Sequence, residues 1–344
     1  MVELVPTIDL SSWHGDSSER TAIAAQVDAA CSRVGFMQIV GHGLPDDVVN
    51  TMLRATDALF ALPLADKLAL LPPHPGVNRG YAPRAAESLA YSQGAEKALP
   101  DLFEAFNIGL DVVPDEPFYR DAPHEFFAPN LWPAALPSLR PALTTYFDHA
   151  VGLASTLTDV FALALRLPER WFRPYVDRST LTMRVNHYEG RDGDTVPEPG
   201  QMRMGAHTDY GVVTVLYADP VPGLQILGPD ARFHDVVPRP GALLVNLGDM
   251  TALWTNDRWR STLHRVVPPS AASGASRRRS VALFLDANYD ARIACLPTCA
   301  TAEQPAKYPP VLAGDHLIEK ILGPRLGRAS GGVHTARDRV NRQG

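Results

Sequence analysis

Met204-Gly205-Ala206-His207-Thr208-Asp209-Tyr210-Gly211 sets a histidine and a carboxylate two positions apart. Along a β-strand successive side chains alternate between faces, so residues i and i+2 point the same way. His207 and Asp209 are therefore expected to face one ligand from one strand, with Thr208 turned away. Much further along, Thr262-Leu263-His264-Arg265-Val266-Val267 brings a second histidine into another alternating run. H-x-D alone arises by chance in many proteins, so its meaning depends on what the rest of the chain supplies.

Two imidazoles and one carboxylate form the facial donor set of non-haem iron(II) sites, which leaves coordination positions open. His207, Asp209 and His264 are the candidate metal-ligating and catalytic residues. His42 stands in a Gly-His-Gly turn and is expected to be structural. His124-Glu125 lacks the following histidine of a zinc-protease helix.

The chain changes character near residue 178. Before it, helical spacing dominates. Asp16 with Glu19 resembles a capping box, and Ile23, Val27, Ala30 and Val34 then step at helical intervals. Pro45 opens a second helix, and the longest is expected from about Pro141 to Leu167. Val5–Leu10 and Gly35–Val40 read as strands, and Pro72–Pro137 reads as loop-rich. After residue 178, short alternating runs take over at Thr180–Tyr188, His207–Tyr210, Val212–Ala218, Gly223–Leu227, Ala242–Leu247, Leu263–Val267 and Arg279–Ala287. Repeated short strands broken by Gly, Pro and Asp indicate a closed or double-sheet β structure, of which the jelly roll is one form.

Two strands carry polar residues at inward parity. In Arg278-Arg279-Ser280-Val281-Ala282-Leu283-Phe284, Arg278, Ser280 and Phe284 share a face. A guanidinium is the natural bidentate partner of a carboxylate, and a hydroxyl two residues on adds a third hydrogen bond. The competing reading is a surface basic cluster, because Arg277, Arg278 and Arg279 are consecutive. In Thr182–Tyr188, Arg184, Asn186 and Tyr188 share a face too polar for a plain core, so it lines a wet cavity or faces solvent.

Composition narrows the class. The 344 residues carry 45% apolar and 20% charged side chains, enough to bury a core, and a net charge of −6. That charge gives no general electrostatic case for nucleic acid or a membrane surface as partner. Three cysteines (Cys31, Cys295 and Cys299) fit reduced thiols better than a disulfide framework. With no signal-like or membrane-spanning apolar run, a soluble cytoplasmic protein is expected. From about Leu326 the chain is Gly- and Arg-rich and is expected to be a flexible tail.

The chain resembles the isopenicillin N synthase-like branch of the iron(II)/2-oxoglutarate-dependent dioxygenases from about Val5 to Leu322. The resemblance rests on Pro6-x-Ile8-Asp9, Cys31-x-x-x-Gly35-Phe36, His42-Gly43, Asn186-x-Tyr188, His207-x-Asp209, Gly223-Leu224-Gln225, Pro240-Gly241, Asn246-x-Gly248-Asp249, His264-Arg265-Val266 and Arg278-x-Ser280, in that order. It departs at Phe233-His234, where relatives often carry Trp. The resemblance implies an α+β, mainly β fold: a double-stranded β-helix (jelly roll) flanked by helices. It implies Fe(II) on His207, Asp209 and His264, with O₂ as oxidant. It also implies 2-oxoglutarate as co-substrate, its distal carboxylate on Arg278 and Ser280, with Tyr188 and Asn186 nearby. Asn246 and Asp249 match a structural signature without catalysis.

Three segments follow: a helix-rich N-terminal region over 1–175, a jelly-roll catalytic core with the Fe(II) and 2-oxoglutarate sites over 176–290, and a C-terminal segment over 291–344. The expected activity is oxidation of a small organic metabolite, by hydroxylation or by desaturation or cyclisation, with release of succinate and CO₂. Arg184, Arg79, Tyr81 and Phe284 are the candidate substrate-pocket residues. Two alternatives stand beside this reading: a related iron oxidase that does not use 2-oxoglutarate, and a non-catalytic jelly-roll protein that binds a small molecule. Neither the primary substrate nor the oligomeric state follows from the sequence.

Overall fold

The computed structural model describes residues 3–123, 125–189, 197–269 and 277–329. His124 and the Gly- and Arg-rich tail from residue 330 onward lie outside them, so neither reading made there bears on the fold.

The strands run in chain order as β1 (Thr7–Asp9), β2 (Phe36–Val40), β3 (Gly80–Ala82), β4 (Glu104–Ile108), β5 (Thr182–Tyr188), β6 (Met204–His207), β7 (Val213–Ala218), β8 (Leu224–Leu227), β9 (Phe233–Asp235), β10 (Leu243–Leu247), β11 (His264–Val266) and β12 (Arg278–Leu285). A further pair, β13 (Arg292–Ile293) and β14 (Val311–Leu312), stands apart. The helices are α1 (Ser17–Arg33), α2 (Asp46–Phe60), α3 (Leu64–Leu68), α4 (Pro117–Arg120), α5 (Leu139–Ala164), α6 (Arg173–Val176), α7 (Asp249–Trp254) and α8 (Ala313–Leu326).

A large sheet in the order β1-β2-β10-β7-β12-β5-β4-β3 faces a small one in the order β6-β11-β8-β9. Together they form the double-stranded β-helix, with helices packed outside. Alternation decides the layers. The outward residues of β12 (Val281, Leu283, Leu285) and of β5 (Met183, Val185) join the main core, together with Leu143, Phe147, Ala150, Leu157 and Phe161 of α5. The inward residues of the same strands turn to a cavity between the sheets.

Local chemistry fixes the ends. Asp16 caps α1 by accepting from the Ser18 and Glu19 amides, and Glu19 returns the bond to the Asp16 amide. α5 begins two residues before the predicted start and ends three before the predicted stop. His42 accepts the Leu44 amide at 3.1 Å and meets the Gly241 carbonyl at 3.1 Å, so it locks a turn, as expected.

One reading is corrected. The Pro72–Pro137 region contains β3 and β4, which extend the large sheet from β5. All five β4 residues are buried, so no alternation betrayed the strand. Ala313–Leu326, for which no element was expected, forms α8, which packs on the 3-10 turn Leu89–Gln93. Among the described residues, no helix is long and apolar enough to cross a membrane.

Candidate active site

His207 and His264 face each other across the small sheet, paired in register between β6 and β11, with ring centroids 4.2 Å apart. Asp209 Oδ1 lies 3.8 Å from His207 Nε2 and 3.6 Å from His264 Nε2. Among the described residues these are the group of three donors able to share an ion, their ligand atoms all within 4.8 Å of one another.

Each imidazole is oriented by its own backbone. His207 Nδ1 donates to the Gly205 carbonyl at 2.8 Å, and His264 Nδ1 to the Thr262 carbonyl at 3.0 Å. A carbonyl only accepts, so Nδ1 carries the proton and Nε2 turns its lone pair to the shared centre. Burial, with His264 alongside, lowers the pKa of His207 and so favours the neutral imidazole that a metal needs.

Asp209 is placed differently from the expectation. β6 ends at His207, so strand alternation does not bring the aspartate round. Its Oδ2 accepts the Asn246 amide at 2.6 Å and the Thr214 hydroxyl, which leaves Oδ1 for a metal. The Asp209 carbonyl accepts the Asp249 amide at 2.9 Å. A Cβ on Gly248 would stand 2.3 Å from the Gly211 carbonyl oxygen, so this approach needs a glycine. The Asn-x-Gly-Asp signature thus fixes the aspartate from β10 and the start of α7. Asp249 also accepts the Thr208 and Ser261 hydroxyls.

The three consecutive arginines separate by parity. Arg277 pairs with Asp57 at the surface at 3.1 Å, and Arg279 turns outward to Asp219 at 3.0 Å and Asp57 at 2.9 Å. Arg278 alone turns inward and is 1% exposed. Its Nε and Nη1 have no hydrogen-bond partner, and burial pulls its pKa down. A buried cation in this state calls for an anion. Beside it stand Ser280, which accepts Asn186 Nδ2 at 3.3 Å, and Tyr188, whose ring lies 5.2 Å from the guanidinium carbon.

The cavity lining includes Arg184, Asn186, Tyr188, His207, Asp209, His264, Arg278, Ser280 and Phe284. It does not include Arg79 or Tyr81. Arg79 is spent on the Phe126 carbonyl at 2.8 Å, the Asn78 carbonyl at 2.8 Å and the Ala128 carbonyl at 3.2 Å. Tyr81 donates to Glu104 in a buried cluster with Lys67 and His187. Both are structural. Phe233 is also absent from the wall; it sits under the Arg265 guanidinium at 3.8 Å.

Other wall residues were not found from the sequence: Asn78, Glu87, Tyr210, Thr214, Asp286, and Leu317, Ile321, Pro324 and Arg325 of α8. Burial pushes Asp286 up to about 7. Thr214 and Asp286 were findable, each by its inward parity on a predicted strand.

The chain matches two family profiles: the N-terminal region described as non-haem dioxygenase in morphine synthesis, over residues 5–135, and the 2OG-Fe(II) oxygenase superfamily, over residues 179–287. It is 34% identical to the 2-oxoglutarate-Fe(II) type oxidoreductase hxnY of Emericella nidulans, over 94% of this chain and 91% of that one. The chain belongs to the 2-oxoglutarate/Fe(II) oxygenase superfamily. The oxygenase is also 33% identical to the validamycin A dioxygenase of Streptomyces hygroscopicus subsp. limoneus, over 94% of its length and 87% of the relative's. Its fold matches Neurospora crassa T7H, solved in complex with α-ketoglutarate and thymine, with a TM-score of 0.79 at 28% identity, covering 92% of this chain and 96% of that one. Members of the superfamily use Fe(II), 2-oxoglutarate and O₂. The residues present fit that demand: a hard and borderline donor set with freed Nε2 and Oδ1 atoms, and a buried guanidinium without a counter-charge at one end of the same cavity.

Proposed function

We propose that His207, Asp209 and His264 hold the Fe(II) of this dioxygenase, and that Arg278 and Ser280 receive the distal carboxylate of 2-oxoglutarate, with Asn186 and Tyr188 shaping that end. The observation that carries this is the sealed Arg278 guanidinium, whose Nε and Nη1 lack partners in the wall that also holds the three donors. It favours 2-oxoglutarate use over the related oxidases that do without it.

When bound, iron, keto acid and O₂ supply the oxidising power, and the keto acid leaves as succinate and CO₂. The chain's own residues do the placing. The Gly205 and Thr262 carbonyls fix both imidazoles; Asn246 and Thr214 fix the carboxylate; Arg278 fixes the length and direction of the keto acid. Leu89, Leu216, Val266 and Phe284 keep the neighbouring wall apolar and so exclude water from the reacting centre. The substrate is a small organic metabolite whose C–H bond is oxidised, by hydroxylation or by the related desaturation or cyclisation. We divide the work of the chain into a supporting region over 1–175, the catalytic core over 176–290 and a closing segment over 291–344.

Equilibrium binding under nitrogen tests the reading. One Fe(II) per chain is expected, with 2-oxoglutarate binding that depends on it. Iron binding without any affinity for 2-oxoglutarate would sink the co-substrate assignment, and no iron binding would sink the whole.

A further inference from the structure

The cavity holds a second charged group that iron and the keto acid leave unused. Glu87 is buried and accepts from two guanidiniums, Arg184 Nη2 at 2.8 Å and Arg325 Nε at 3.2 Å. Arg325 comes from α8 and is fixed by the Pro75 carbonyl at 2.8 Å and by the Asn78 side chain. Arg184, on β5, also donates Nε to Asn186 at 3.0 Å. All three charged residues line the cavity.

The charges do not cancel. Two cations meet one anion, which leaves one positive charge. Elsewhere the balance closes once the site is loaded: Arg278 meets the distal carboxylate, and Asp209 with the keto-acid carboxylate meets the two charges of the metal. Asp286, turned to Thr180 at 3.4 Å, and Asp101, which accepts the Leu89 and Gly205 amides at 2.8 Å and lies in reach of Glu87 and Arg184, are both pushed up to about 7 by burial and add at most partial charges. The side-chain bonds of Arg184 to Asn186 and Glu87 run from Nε and Nη2, and its side chain is only 11% exposed. Its guanidinium thus lines the cavity while largely withdrawn from bulk water. Leu317, Ile321 and Pro324 of α8 line the adjoining wall with apolar surface.

We propose that Arg184 and Arg325, held together by Glu87, form a subsite for an acidic group of the substrate, so that the preferred substrate is a small monocarboxylate with an apolar body packed against α8. Glu87 has a defined part. Without it two buried guanidiniums would repel; with it they are held in place, and one charge remains for one carboxylate. The inference rests on the reading of the cavity as an oxygenase site.

Probe binding tests it, using enzyme loaded with Fe(II) and saturating 2-oxoglutarate under nitrogen so that Arg278 is occupied. Phenylacetate, its neutral isostere 2-phenylacetamide and the cation 2-phenylethylamine are titrated by calorimetry. Phenylacetate is expected to bind at least about tenfold tighter than the amide, the advantage of one charge-assisted pair. The preference should collapse in Arg184→Gln and in Arg325→Gln; the second change lies on α8, away from the keto acid. Equal binding of acid and amide, tighter binding of the amine, no binding of phenylacetate, or a preference that survives both substitutions would overturn the proposal. Failure of the oxygenase reading would show separately, as 2-oxoglutarate affinity indifferent to Arg278→Gln.

Discussion

Arg278 on β12 pairs in register with Tyr188 on β5, and its guanidinium carbon lies 5.2 Å from the tyrosine ring. The aromatic face steadies a cation that burial otherwise disfavours, yet it leaves Nε and Nη1 without acceptors. The arginine is thus held ready for an anion that the protein does not itself provide.

Removing that guanidinium should weaken 2-oxoglutarate directly. In Arg278→Gln the distal carboxylate would lose a charge-assisted, desolvated partner, a change of roughly 2–5 kcal/mol and so about 30-fold or more in affinity. Iron affinity, set by His207, His264 and Asp209, none of which Arg278 contacts, should change little. Calorimetric titration of 2-oxoglutarate beside Fe(II) binding checks both, and an unchanged 2-oxoglutarate affinity would contradict the assignment.

Asn246 and Thr214 both donate to Asp209 Oδ2. Asn246→Ala and Thr214→Val should each free the carboxylate to rotate and lower Fe(II) affinity by about 10–100-fold, the usual cost of losing an orienting partner. Chelator competition measures it. Equal iron retention in both variants would mean that the backbone of the Asp209–Gly211 turn alone sets the ligand.

The strands and the donors they carry were legible because burial on one face imposes a period of two. Arg278 could be told from Arg277 and Arg279 by that parity alone, and His264 by its place in Thr262–Val267. Asp209 was found for a partly wrong reason, since it lies beyond the end of β6 and is placed by Asn246, Thr214 and Asp249. What stayed hidden comes from segments without a clean period. β4 is buried on both faces. α8 carries Gly314, Gly323 and Pro324, which read as breakers, although its Leu317 and Ile321 are one turn apart and line the cavity. Glu87 follows a turn in a loop, where nothing local marks its two arginine partners, nearly 100 and more than 230 residues away.

α8 is tied down by a buried cation. Lys320 is 1% exposed, donates to the Ser92 carbonyl at 2.9 Å and lies 3.9 Å from Asp249. Lys320→Met keeps most of the stem packing but leaves Asp249 with less positive charge nearby. A loss of about 3 kcal/mol is expected, read as a lower urea midpoint. A midpoint within error of the natural protein would show that the helix is held by its apolar contacts alone.

The Lys67–Tyr81–Glu104–His187 cluster gives a pH signature. Burial alone would raise Glu104, but hydrogen bonds from His187, Lys67 and Tyr81 outweigh it and bring the carboxyl down to about 2. A depressed folded pKa means that the stabilisation is complete above the unfolded value, near 4.3, and is lost as pH falls from there toward 2. Glu104→Gln should therefore be less stable than the natural protein at pH 7, and the gap should narrow steadily below about pH 4.5. Urea unfolding across that range tests it; a gap independent of pH would assign the loss to packing rather than to charge.

Metal should stabilise the fold itself. Three donors are buried within 4.8 Å of one another, and an ion that binds only the folded chain adds stability as RT ln(1 + [L]/Kd), about 2.7 kcal/mol at a hundredfold excess over Kd. Chelator-treated protein should melt lower than protein given Fe(II) under nitrogen. His264→Ala should abolish that difference, because β11 then offers no imidazole opposite His207, whereas His42→Asn, which alters a turn remote from the cavity, should preserve it. The comparison of melting shifts needs no substrate. Equal Fe(II)-induced shifts in His264→Ala and His42→Asn would place the binding of iron elsewhere in the chain.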